Sequence, residues 1–197
     1  MSATASPFGF IAVKHPNGQT RATEYTIASG YAANIFQGDP VKLVTAGTIQ
    51  LGTSDGTRTG TVADISLIGI FAGCTYTDAQ GKPNFSNFWP TGQVATNIKA
   101  FVYDDPETTF VVQASGSIAA TAIGDQGNWT GFTAPGGSTT TGRSLGSLNS
   151  TLIGAADNAQ FRIVEFDRSP DNAAGDSYTK VLVRIAQHQY VAPAAAV

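Results

Sequence analysis

Two segments near the C-terminal end set the pattern for the chain. Phe161-Arg162-Ile163-Val164-Glu165-Phe166 and Tyr178-Thr179-Lys180-Val181-Leu182-Val183-Arg184-Ile185 both alternate apolar and polar side chains. A period of two sends successive side chains to opposite faces, the pattern of a strand with one buried face. Between them, Ser169-Pro170-Asp171-Asn172 and Gly175-Asp176 supply turn chemistry, so the unit reads as strand, loop, strand.

The same reading extends upstream. Val41-Lys42-Leu43-Val44 and Thr48-Ile49-Gln50-Leu51 flank Ala46-Gly47 and predict a hairpin. Ile65 to Phe71 is a nearly continuous apolar run, as expected of a strand buried on both faces. Val94–Tyr103 and Thr108–Ala114 are two further strands around Asp104-Asp105-Pro106-Glu107, a type I turn. Residues 115–124 fit a short helix or a loop. Helical periodicity is sustained nowhere. The fold class is therefore all-β: a small β-barrel or β-sandwich body with long loops and extended termini.

The expected organisation is an extended N-terminal arm over 1–24, one domain over 25–190 and a tail over 191–197. Within the domain, 75–93 is an aromatic-rich insertion (Tyr76, Phe85, Phe88, Trp89), and 125–150 is a long Gly/Thr/Ser-rich loop anchored by Trp129 and Phe132. The loop 53–57 is a turn region. The apolar piece Pro7–Val13 has two readings: a first strand in the domain's own sheet, or an arm that pairs with a neighbouring subunit. His15-Pro16-Asn17-Gly18 closes it as a turn.

Composition narrows the function classes. Charged residues make up 13% of the 197, about half of the roughly 25% usual for soluble domains, while hydrophobic residues reach 42%. Such a chain leaves much neutral polar surface, which suits burial in a large assembly. The net charge is −3 and no basic block occurs, so nucleic acid is not an expected partner. No apolar run reaches a membrane span, and residues 1–7 lack the makings of a secretory signal. Synthesis in the cytoplasm is expected.

Candidate chemistry is sparse. Gly142-Arg143-Ser144-Leu145-Gly146 matches the spacing of a nucleophile elbow, but it follows a loop rather than a strand, in a chain without α/β alternation. Cys74 ends an apolar run and reads as a small buried hydrophobe rather than as half of a thiol–imidazole pair with His15 or His188. His188, flanked by glutamines, reads as a solvent or interface residue. Asp167, Asp171 and Asp176 lack calcium-loop spacing, and Asp104, Asp105 and Glu107 suit a turn better than acid/base work. The three Asn-x-Ser/Thr sequons carry no meaning without secretion. No enzyme activity, cofactor or metal is expected.

Several segments in order resemble the head decoration, or cement, proteins of tailed bacteriophages. They are Gly9-Phe10 with His15-Pro16-Asn17-Gly18; Ile27-Ala28-Ser29-Gly30-Tyr31 with Gly38-Asp39-Pro40-Val41-Lys42-Leu43; Gly69–Tyr76; Phe88-Trp89-Pro90; Thr141–Ser144; and Lys180–Ile185. The resemblance covers most of the chain. It implies a non-enzymatic virion protein on the outer capsid surface that bridges and stabilises subunits of the major capsid protein. It also implies a homo-oligomer set on a symmetry axis, with a trimer favoured over a dimer. Phe8, Phe10, Trp89 and Tyr190 are the expected contact residues. The alternative is a head-fibre or receptor-contact protein that binds a host surface.

Overall fold

The computed structural model describes residues 4–52, 66–130, 136–153 and 159–191. The expected loop at 53–57, the anchor Phe132, Ile65 and the tail beyond residue 191 lie outside them.

The described residues form fifteen strands: β1 (Ile11–Lys14), β2 (Thr23–Tyr25), β3 (Ile35–Phe36), β4 (Pro40–Leu43), β5 (Ile49–Leu51), β6 (Gly69–Asp78), β7 (Pro83–Ser86), β8 (Phe88–Trp89), β9 (Ala95–Tyr103), β10 (Thr109–Gln113), β11 (Gln126–Gly127), β12 (Trp129–Thr130), β13 (Ser147–Leu148), β14 (Phe161–Phe166) and β15 (Lys180–Ile185). Their only helical element is one 3-10 turn, Ala120–Ala122. The chain is all-β.

Two antiparallel sheets make the body. One has five strands in the order β1-β10-β15-β14-β11; the other has six, β2-β9-β6-β4-β5 with β7 also beside β6. Two short ribbons, β3–β8 and β12–β13, complete the set. Neither sheet closes, so of the two expected forms, barrel and sandwich, the body takes the open, sandwich-like one. The turn after β9 decides this. Pro106 follows Asp105 with its φ preset, and Thr108 N–H donates to the Asp105 carbonyl at 3.0 Å. That turn does not fold β10 back on β9. It passes the chain from the six-stranded sheet to the five-stranded one.

Each sheet has its own core. Phe10, Phe110, Val112, Trp129, Phe161, Ile163, Val181 and Val183 fill the first. Ile27, Ile35, Val41, Phe71, Trp89, Ala100 and Val102 fill the second. Strand β6 serves both through neighbours in sequence: Ile70 faces the first core and Phe71 the second. Gly69 lets this strand approach β9, since a Cβ there would lie 2.3 Å from the Tyr103 carbonyl oxygen. Gly73, at φ +131°, absorbs a bulge in the same ladder, a conformation costly for any side chain.

The expected hairpin over 41–51 forms as β4–β5, and the C-terminal pair forms as β14–β15. The extended N-terminal arm is not free. β1 pairs with β10 of the same chain, Ser6 N–H donates to Gln113 Oε1 at 2.8 Å, and Gly9 N–H donates to the Gly146 carbonyl. Burying Phe10 in the chain's own core recovers more than leaving it in water. The insertion 75–93 is a continuation of β6 into β7, followed by β8 laid on β3. The long loop 125–150 likewise carries β11, β12 and β13.

Candidate functional site

Alternation in β10, β14 and β15 builds one continuous outer face. Phe110, Val112, Phe161, Ile163, Val181 and Val183 point into the core. The residues between them must point out: Val111, Arg162, Glu165, Lys180, Leu182 and Arg184. Register then aligns them across strands. Ile11 stands opposite Val111, Val111 opposite Leu182, and Leu182 opposite Glu165. An apolar row thus crosses three strands and ends at a carboxylate.

A groove of about 660 Å³ lies along this row. Phe8, Ile11, Val13, Val111, Phe166 and Leu182 give it an apolar floor and wall; Lys14, Arg143, Glu165, Asp167, Arg168 and Lys180 charge its rim. Ile11 and Val13 are 42% and 46% exposed, high for apolar strand residues. A smaller cleft of about 130 Å³ shares Phe8, Ile11 and Arg143 with the groove and continues it toward Gly38.

Part of the rim is paired. Glu165 bridges Lys14 at 2.8 Å and Arg168 at 2.7 Å, and these cations hold its carboxyl below the usual range. Lys180 bridges Asp171 at 2.9 Å, which lowers that carboxyl too. Such exposed pairs are screened by water and worth little stability. On and around this face three guanidinium groups, Arg143, Arg162 and Arg184, have no carboxylate partner among the described residues. Arg162 and Arg184 stand directly opposite one another in the β14–β15 ladder, and Arg184 Nε donates to Thr109 Oγ1, at 3.2 Å. Like charges at opposed positions destabilise a sheet. Six of the chain's 11 Lys and Arg residues therefore gather here, against Glu165, Asp167 and Asp171. The face is net positive on a chain of charge −3.

The four expected contact residues do not come together. Phe8 is half-buried and lines the groove. Phe10 is 2% exposed and stacks on Phe161 at 4.3 Å, so it is a core residue rather than a contact residue. Trp89 is wholly buried in the second core, edge-on to Tyr76 at 5.3 Å, and is likewise corrected to a core role. Large rings beside strand backbone find their own core before they find a partner. Tyr190 is 60% exposed, and its hydroxyl lies 2.8 Å from that of Tyr25. Tyr25 in turn donates to Asp104 Oδ2 at 2.8 Å; burial first, then these two neighbours, raises its phenol above the usual range. Phe85, on β7, is 86% exposed.

The candidate catalytic groups serve the fold. Ser144 is fully buried and its Oγ accepts the Gly146 N–H at 2.9 Å. Burial pushes the Cys74 thiol up to about 12, so it stays protonated. His188 is buried, correcting its expected surface role. Leu67 N–H donates to the Gln187 carbonyl and Gln189 N–H to the Leu67 carbonyl, which pins this segment against Leu67 of the first core. Burial lowers the His188 pKa and keeps the ring neutral. His15 pairs with Asp105 at 3.0 Å beside a polar hollow. Among the described residues no group of three or more His, Cys, Asp or Glu is placed to hold a metal ion. No helix among them is long and apolar enough to cross a membrane.

Sequence reasoning missed the Arg162–Arg184 face. Its signal was the pair of charges at the polar positions of two alternating strands, but only the register shows that they are opposed. No family model, curated protein or solved structure matches this chain.

Proposed function

We propose that this chain is a non-enzymatic virion structural protein. It binds the outer face of a capsid shell and bridges subunits of the major capsid protein. One observation carries the reading on the structural side: a broad outer sheet face with an apolar groove, from exposed Ile11 past half-buried Val111 to Leu182 on its buried floor, ringed by charges. It is supported by the sequence resemblance to tailed-phage decoration proteins, whose motif segments fall on fold-determining positions. Gly38-Asp39-Pro40 is the turn to which Phe10 N–H is tied at 3.0 Å, and Phe88-Trp89 forms β8 over the second core. Attachment to a shell repeats one contact many times, so a modest face suffices for retention. A homo-oligomer on a symmetry axis, a trimer rather than a dimer, belongs to the same reading.

A second reading, a head-fibre or receptor-contact protein binding a host surface, is favoured by Phe85. That bare ring sits on an edge hairpin, away from the groove lining. The test is co-sedimentation of the purified chain with shells of its virus stripped of it, followed by thermal rupture. Saturable binding that raises the rupture temperature is expected. Chain that stays in the supernatant at all concentrations overturns the reading.

A further inference from the structure

Two observations on the outer sheet face ask for the same kind of partner. The first is the apolar row Ile11–Val111–Leu182, which lines a groove of about 660 Å³, with Ile11 exposed, Val111 half-buried and Leu182 on the floor. The second is the set of three guanidinium groups, Arg143, Arg162 and Arg184, without carboxylate partners among the described residues, two of them facing each other across a ladder. Opposed arginines cost stability in the free protein, and an anion between them reverses that cost.

We propose that this face binds an extended, acidic segment of a partner protein. The segment's apolar side chains lie on the Ile11–Val111–Leu182 row, and its carboxylates meet Arg143, Arg162 and Arg184. The inference rests on the reading of the chain as an attachment protein and adds the chemistry of what it attaches to. Charge complementarity selects this occupant. A second copy packed by the same face would bring two net-positive faces together. A nucleic acid would set phosphates against Glu165, which ends the apolar row, and against Asp167 on the rim. An extended peptide alternates its side chains, so it can offer apolar groups to the row and carboxylates to the rim at once.

The test uses the full chain and a fluorescein-labelled peptide of alternating valine and glutamate, long enough to cross the sheet, read by fluorescence anisotropy. The controls are a valine–lysine peptide and a duplex DNA oligonucleotide. Saturable binding of the acidic peptide is expected, weakening as salt rises. The double variant Arg162→Glu/Arg184→Glu should weaken it by about tenfold or more. Arg143→Glu, in a loop outside the strands, should weaken it too and guards against a folding defect in the double variant. Equal binding of the lysine peptide, preference for DNA, or unchanged affinity in both variants overturns the proposal. A virion reconstruction separates its failure from that of the functional reading. A chain seated on the shell through another face sinks the docking proposal alone. A chain absent from the shell that still binds the acidic peptide sinks only the capsid reading.

Discussion

Replacing Asp39 by Asn should make the protein more stable at neutral pH and flatten part of its pH profile. Asp39 sits in the turn after β3, 2% exposed. Its Oδ2 accepts the Phe36 N–H at 2.7 Å, and its own N–H donates back to the Phe36 carbonyl at 2.9 Å. Burial raises its pKa from 3.8 to about 7, although hydrogen bonds from Ser144 and Phe36 favour the charged form. A raised carboxyl gives its full stability only below the unfolded value. Above that value the unfolded chain ionises first, and stability falls until the folded group ionises as well. A move from 3.8 to about 7 corresponds to about 4 kcal/mol, lost progressively between about pH 4 and about pH 7. Asparagine keeps an acceptor for Phe36 and cannot ionise. The assay is urea denaturation of both proteins from about pH 4 to about pH 8, read as the difference between them. The difference matters because other groups run the opposite way. His188, lowered by burial, costs stability as pH falls below its ordinary 6.5, and the lowered carboxyls of Asp78, Asp105, Glu165 and Asp171 do so at still lower pH. Asp39→Asn should gain on the parent steadily as pH rises. A difference constant within about 0.5 kcal/mol across the range refutes the buried-carboxylate argument.

Phe10→Ala and Trp89→Ala should each cost about 3–5 kcal/mol in denaturant unfolding, because both rings fill the chain's own cores; a loss below about 1 kcal/mol would return them to the surface. Deleting residues 1–13 should for the same reason leave a poorly folded protein rather than a soluble body without its arm, as circular dichroism melting will show. Phe85→Ser should change stability by no more than about 0.5 kcal/mol, since the ring is 86% exposed; a larger loss means it packs on something. Arg162→Thr should raise stability by about 0.2–1 kcal/mol by relieving the opposed charges of β14 and β15, and a drop would show that the pair is not repulsive.

The elements legible in the sequence are those fixed by local pattern. Alternation revealed β14 and β15, the apolar run from Ile65 to Phe71 marked only the start of β6 (Gly69–Asp78), and a small-residue turn between two apolar pieces revealed the β4–β5 hairpin. What escaped depends on long-range pairing. The turn at Asp105–Thr108 reads the same whether it closes a hairpin or hands the chain to a second sheet; only the partners of β9 and β10 decide. Phe10 and Trp89 are conspicuous in the sequence, but nothing nearby says that Phe161 and Tyr76 receive them. Glutamines on either side of His188 suggest water, whereas Gln189 instead bonds both backbone groups of Leu43 and pulls the segment inward. The outer face proposed to dock a partner was half visible. Its charges occupy the polar positions of two recognised strands, but their opposition depends on a register interrupted between Ile163 and Glu165.

The most direct test is a reconstruction of the phage particle that is proposed to carry this chain. The account predicts copies spread over the whole outer surface of the shell, at symmetry axes, with Arg162 and Arg184 turned toward the major capsid protein. Density confined to the tail or to a single vertex, or no density on the particle, would contradict it.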